Sequence, residues 1–374
     1  MKADPGFVVL PTSFAGVARA SMQPAEPTLH DLRARRKRAI SRALGYLERI
    51  AGQAAVLSRL GSGFLYCTAF MATTAADPLL VRRARRLAMR AWSAWNDVWK
   101  QPLEPTTSDE LAELVHGHLA GHRLGIRFPR RVAGLRDHAA RFDATSLLGW
   151  TPGKEPPPVG LRSRCECGWC SPARAATCRN PDCREPLVLQ SRRRTWCLAL
   201  VAAYCGERLG VRLGGRFAEV LAWLPELPDY PTPQRGLGGF YDAAYAVTHV
   251  VYTLNDFGRH QLDPAWLPRE YEFLRRHLEY VIDLDDPDLL GEFLDTLRAF
   301  GSADDHPAIR AGMLRLLAGQ NRDGSWGSTD DGDPYRRFHA TWAAIDGLRD
   351  FAWRGQGLSF PALLPMLRRW ARRA

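Results

Sequence analysis

The chain reads as an all-α protein built from two concentric sets of helices, and three observations lead there. Apolar residues recur at three- and four-residue spacing in segment after segment, while strand-like alternation is rare. The helical segments are of two kinds, one amphipathic and one apolar nearly all round, and the second kind must be buried on every side. The buried kind also ends alike: HGHLAGHRLG at Gly125, VAAYCGERLG at Gly210, HVVYTLNDFG at Gly258 and EFLDTLRAFG at Gly301. Glycine after Leu or Phe is what a left-handed helix stop asks for.

Taken in order, the periodicity predicts helices over 29–52, 62–76, 78–99, 108–124, 132–148, 191–209, 215–225, 238–257, 266–283, 288–300, 306–319, 335–352 and 359–373, separated by Gly, Pro and Asp turns. PREYEFLRRHLEYV and FPALLPMLRRWARR exemplify the wet set, with Arg and Glu outside. TWCLALVAAYCGERLG and FHATWAAIDGL exemplify the buried set, and HATWAAIDGL ends like the others with its last two residues inverted. Stacked wet and buried pairs make a quasi-repeat architecture with the buried helices lining the centre.

The organisation follows. Residues 1–28 read as a loose tail, because the short apolar stretch of MKADPGFVVLPTSFAGVARA is preceded by Asp and broken by Pro, a poor leader pattern. The first half of the helical body spans 29–160, a small insertion 161–190, and the second half 191–374. No uninterrupted apolar run approaches the roughly 20 residues that cross a bilayer, so a cytoplasmic protein without a membrane span is expected. A hydrophobic fraction of 46% with 24% charged residues is that of a globular domain, long enough for one large core or two ordinary ones. The formal charge of +11 favours an anionic small-molecule or peptide substrate. Solvated helix faces account for the Arg of LRARRKRAISRAL and LVRRARRLAMRAW, and no recognition motif accompanies them, so nucleic acid is the less favoured partner.

LLAGQNRDGSWG followed by RFHATWAAIDGL resembles the QW-type repeat of terpenoid cyclases and protein prenyltransferase β subunits, over about 305–350 and less closely from 190. The resemblance implies an (α/α)6 toroid: six parallel inner helices, an outer ring, and an active cavity at one end. Its physical content is structural. Gln320 can cap a helix end, Gly324 and Gly327 supply the turn, and Trp326 plugs the seam between neighbouring helix pairs.

Placing the inner helices in register by their terminal Gly-like position, a glycine in four of them and Leu348 in the last, brings His116, Val201, His249, Glu292 and His339 to one level, nine residues upstream. Three His and one Glu form a possible metal shell, with His118 and His122 rivals for the place of His116. The alternative is a set of hydrogen-bonded core histidines. Prenyltransferase β subunits look similar at His339, where the resemblance implies a zinc ligand. Their Asp and Cys ligands have no match here, and a His/carboxylate shell points instead to iron or copper. His249 with Asp256 and His339 with Asp346 repeat one H-x6-D spacing, two helical turns, which puts each pair on one face; Tyr252 and Trp342 coincide as well.

Residues 283–286, DLDD, match the DxDD pattern of class II terpenoid cyclases, where the resemblance implies that the middle acid, here Asp285, protonates an olefin. The Thr-Ala pair common in that family is Pro287-Asp288 here, and ordinary helix-dipole complementation explains acids at this place equally well. CECGWCSPARAATCRNPDC supplies Cys167, Cys170, Cys178 and Cys183, with Cys165 a substitute for Cys167, in the paired short spacings of a four-cysteine zinc knuckle. No phosphate loop, HExxH or G-x-S-x-G elbow is present.

The expectation is therefore a metal-dependent enzyme of specialised metabolism that oxidises or rearranges an organic or peptide substrate. His116, His249, Glu292 and His339 would hold iron or copper, Tyr252, Asp256, Trp342 and Asp346 would line the cavity, and the knuckle would hold structural zinc. The alternatives are a cyclase or prenyl-transfer enzyme using Asp285, and a non-catalytic peptide- or RNA-binding toroid.

Overall fold

The computed structural model describes residues 28–99, 104–105, 107–159, 177–178, 180, 183–184, 191–330 and 333–372. Among these residues there are fourteen α-helices and no β-strand, so the all-α expectation holds. In chain order they are α1 (Leu29–Ala51), α2 (Ala54–Thr74), α3 (Pro78–Val98), α4 (Ser108–Arg123), α5 (Pro129–Ala139), α6 (Ala144–Leu148) and α7 (Arg192–Leu209). They continue with α8 (Phe217–Leu221), α9 (Leu237–Leu254), α10 (Pro268–Asp283), α11 (Pro287–Ala299), α12 (Pro307–Ala318), α13 (Pro334–Leu348) and α14 (Leu364–Ala371).

Local chemistry sets the starts. Thr28 and Thr107 close capping boxes with Asp31 and Glu110, and Asp77, Ser191, Asp286 and Asp333 accept first-turn N–H groups. Prolines open α3, α10, α11, α12 and α13, where a missing N–H costs nothing. Where the helices differ from expectation the cause is local. A kink at Gly61 joins an earlier turn to α2. The segment 132–148 is two helices because Asp143 caps a new start by accepting from Ser146 N–H. Gly125, Gly210 and Gly301 do stop α4, α7 and α11 in left-handed geometry. Gly258 does not stop α9, which ends at Leu254; Asp256 and Phe257 are themselves left-handed, at φ 61° and 51°.

Two classes of helix are visible in the burial. Every residue of α11 from Leu289 to Ala299 is buried. By contrast, α3 buries one stripe (Leu80, Ala84, Leu87, Ala91, Trp95) and exposes Arg82, Arg85, Arg86 and Arg90. Six helices pack in a cycle: α2 on α4, α4 on α7, α7 on α9, α9 on α11, α11 on α13, and α13 back on α2. Most of the others lie against members of that cycle: α3 on α2, α5 on α4, α6 on α4 and α7, α8 on α7, α10 on α11, α12 on α11 and α13, and α1 on α2 and α13. Among the described residues α2 is the one helix long and apolar enough to cross a membrane, and more than half of its apolar window is buried between its neighbours.

The QNRDGSWG turn ties α12 and α13 to α1. Trp326 is fully buried, donates from its indole N–H to Leu316 O at 2.7 Å, and its backbone N–H bonds Thr341 Oγ1 at 3.0 Å. Gln320 caps no helix of its own pair; its amide donates to Ala39 O in α1 at 2.8 Å and to Gly324 O at 2.9 Å.

Within the cycle α11 and α13 approach to backbone contact. A Cβ on Gly291 would stand 2.4 Å from the backbone C and O of Ala343, and one on Gly347 would stand 2.9 Å from Gly291 O. The two backbones therefore touch, which only residues without side chains permit. Gly291→Ala is expected to force them apart and to cost about 1–3 kcal/mol of stability, the usual penalty for overpacking. The urea midpoint of unfolding measures this; an unchanged midpoint would show that the helices slide at no cost.

Candidate functional site

The α11–α13 contact decides which side chains meet. Asp288 and Glu292 stand one turn apart on α11, on the same face, and His339 faces them from α13. One ligand atom from each of the three lies within 4.8 Å of the others. His339 Nδ1 donates to Asp288 Oδ1 at 2.8 Å. On the neighbouring α9, Tyr245 OH donates to the other Asp288 oxygen at 3.2 Å, and Thr248 Oγ1 donates to Glu292 Oε2 at 2.6 Å. His249, on the same helix, donates from Nδ1 to Tyr245 O at 2.8 Å, since a carbonyl only accepts, which leaves Nε2 as the ring's acceptor. Its Nδ1 lies 4.0 Å from Glu292 Oε2.

One turn deeper on α11 is Asp295, buried, with an Oδ1 that has no hydrogen-bond partner. Across from it Asp346 accepts from Trp342 Nε1 at 2.6 Å and from Arg349 Nε. His249, Glu292, Asp295, His339 and Asp346 line a cavity of about 40 Å³ whose remaining wall is Ala343 and the aromatic Phe70, Tyr252, Phe257 and Trp342.

Burial and mutual charge drive the protonation states apart. Burial, with the negative charge of Asp288, pushes Glu292 up to about 8. Burial and the neighbouring Asp346 hold Asp295 well above the ordinary carboxylate range. Burial would raise Asp288 too, but the His339 charge and hydrogen bond keep it low. Burial would lower His339, and Asp288 outweighs this and raises it well above the usual imidazole value. His249 is brought down to about 4 by burial and by the cationic Arg194 and His339. At neutral pH the site thus holds an Asp288–His339 ion pair, a neutral His249 and a protonated Glu292, with Asp295 pushed in the same direction as Glu292. Carboxyl groups held in different states a turn apart suit acid–base chemistry, and clustered carboxylate and imidazole donors suit a cation.

The residues expected from sequence are placed as follows. Glu292 and His339 stand in the cluster and His249 adjoins it; Tyr252, Trp342 and Asp346 line the cavity. His116 is not among the lining residues: its ring packs on Tyr66, centroids 6.1 Å apart, and burial lowers its pKa. Asp256 is not a lining residue either. It lies beyond the end of α9, so it does not share a face with His249, and it binds Arg123, Tyr204, Arg208 and Arg259 instead. Asp285 faces solvent, its side chain 75% exposed and ion-paired with Arg315, away from the apolar pocket expected around an olefin-protonating acid. Cys167 and Cys170 lie outside the described residues. Cys178 is buried and its Sγ accepts from Asn180 N–H at 3.4 Å; Cys183 is half-buried.

Sequence reasoning passed over Asp288, Asp295, Tyr245 and Thr248. The signal for Asp288 was its four-residue spacing from Glu292 at the start of a buried helix. Asp295 completes that acidic stripe one turn on. Tyr245 and Thr248 carry no signal until α9 is set beside α11.

A family model described as "Domain of unknown function (DUF6895)" matches residues 178–342, a segment that holds His249, Asp288, Glu292 and His339. No curated protein and no solved structure matches the chain.

Because Glu292 is raised above its ordinary value of 4.5, its contribution to stability is greatest below that pH and is lost as pH rises through about 8. In chelator-treated protein, Glu292→Gln is expected to be near neutral at pH 4.5 and increasingly stabilising up to pH 8, by ~1.4 kcal/mol per pH unit. Urea unfolding at both ends of that range measures it. A stability difference independent of pH contradicts the assignment.

Proposed function

We propose that the chain forms an (α/α)6 toroid and that it is a metal-dependent enzyme. The inner ring would consist of α2, α4, α7, α9, α11 and α13, with the site among α9, α11 and α13. The closed cycle of helix contacts and the two burial classes support the first part. The observation that carries the second is the convergence of Asp288, Glu292 and His339 within 4.8 Å, with His249 adjoining them, its Nδ1 4.0 Å from Glu292 Oε2.

Two carboxylates and two imidazoles are intermediate to hard donors. They suit a divalent first-row metal such as Fe(II) better than the thiolate-preferring Cu(I). Tyr245 and Thr248 hold the two carboxylates in place by hydrogen bonds, the outer layer that metal sites generally have. The metal would supply Lewis-acid or redox chemistry. Outside the metal shell, Asp295 would move protons as the acid. Phe70, Tyr252, Phe257 and Trp342 would hold the apolar part of an organic substrate and shield any positive charge that develops on it. A separate zinc on Cys167, Cys170, Cys178 and Cys183 is proposed as structural. Its support is the cysteine spacing and the N–H that orients Cys178 Sγ.

One observation favours a second reading, an acid-initiated rearrangement without the cavity metal. Asp295 is a buried carboxyl with an unpartnered oxygen in an aromatic cavity, which transfers the proton-donor role from Asp285 to Asp295.

Elemental analysis of the purified full chain decides between them. Wild type is expected to hold zinc plus a second metal, with the second lost in both Glu292→Ala and His339→Ala and the zinc unchanged. Zinc alone, indifferent to both substitutions, sinks the metal reading and leaves the acid one.

A further inference from the structure

At the C-terminal ends of α4, α7 and α9, away from the acidic stripe at the start of α11, the structure gathers a second cluster of opposite sign. Arg123 is the last residue of α4, Arg208 the penultimate residue of α7, and Asp256 to His260 form the turn that follows α9. The guanidinium groups of Arg123, Arg208 and Arg259 all converge on the single carboxylate of Asp256. Three cations about one anion leave a formal surplus of two positive charges.

The donors are not used up. Arg123, with 3% of its side chain exposed, spends one nitrogen on Tyr204 OH and Asp256, and its Nη1 has no hydrogen-bond partner. Arg208 Nε and Arg259 Nε approach Asp256 oxygens at 3.4 and 3.2 Å without the alignment of a hydrogen bond, and both are buried and unpartnered. Asn255 Nδ2 and His260 Nδ1, in the same turn, are buried without partners too. All but the imidazole nitrogen can only donate, so what they lack is an acceptor.

Helix dipoles at three C-termini favour cations there, and this is the purely structural account of the cluster. It does not explain the donors, because Arg123 Nη1 binds none of the terminal carbonyls. The backbone adds to the case: Asp256 and Phe257 are consecutive non-glycine residues at positive φ, held there to present this turn. The cluster also has access to solvent, since the side chains of Arg208 and Arg259 are 28% and 23% exposed.

We propose that this cluster is a binding site for a phosphate-type dianion, either free phosphate or the phosphoryl group of a phosphomonoester. The surplus of two charges matches one dianion, and planar guanidinium forks pair with phosphate oxygens two bonds at a time. The site is separate from the proposed metal centre, and its test does not depend on that centre.

Isothermal titration of the full chain at constant ionic strength, with inorganic phosphate in one arm and glycerol phosphate in another, tests it. Sulfate serves as a comparison of equal shape. Saturable one-to-one binding with a Kd below about 1 mM is expected. Binding should weaken at least tenfold in Arg208→Gln and in Arg259→Gln, both partly exposed and so tolerable to the fold, which a thermal melt verifies. Tighter binding of glycerol phosphate assigns the site to phosphomonoesters, and equal binding assigns it to phosphate. Absence of saturable heat in wild type, or a Kd that neither substitution moves, overturns the proposal.

Discussion

Backbone contact between α11 and α13 is the constraint on which the rest of the site depends. Gly291, Ala343 and Gly347 let the two helices touch without intervening side chains, and nothing larger fits. At that separation Asp288 and His339 are within hydrogen-bond reach and Glu292 is crowded against both. A wider spacing, the usual 8–10 Å between axes, would admit solvent and dissolve the electrostatic differences among the three. The small residues are therefore as much a part of the chemistry as the acids.

Polarity is distributed along the buried helices with a clear asymmetry. Asp288, Glu292 and His339 stand in the N-terminal halves of α11 and α13, and Arg123 and Arg208 stand at the last turns of α4 and α7. Between these lies an aromatic layer in which Phe257 meets Tyr66, Phe70, Tyr204 and Tyr252. Phe70 belongs to both sides: it lines the small cavity, and the Arg123 guanidinium sits 4.4 Å from its ring centroid. The aromatic layer keeps the two charged clusters from neutralising each other by direct contact, so each retains its own unsatisfied character.

How much of this was legible in the residues differs by level. Two kinds of helix could be read because burial on all sides and burial on one side leave different patterns, and α11 and α3 bear this out. Glu292 and His339 could be singled out because a charged or titratable group on an otherwise apolar helix is conspicuous. The register argument failed at α9, where Gly258 was taken for the helix stop. Asn255 bonds the following turn, with Oδ1 accepting from Gly258 N–H and its carbonyl accepting from Arg259 and His260, so the chain leaves the helix early and Asp256 swings to the arginines. His116 stands apart from the cavity lining for a different reason: equal distance from a helix end sets height along an axis and says nothing about which way the side chain turns.

Local residue patterns set the all-α class, the positions of most helix starts and stops, and the buried character of the helices that carry the acids. These are properties of neighbouring residues, fixed by periodicity, capping and the steric freedom of glycine within a few positions. Helix packing is what brings Asp288 rather than Asp285 beside His339, lines the cavity with Asp295, and sends Asp256 to the arginines. Each of those outcomes depends on the rotation of one helix about its axis against another. That rotation is set by side-chain packing between segments far apart in the chain, which no local pattern encodes.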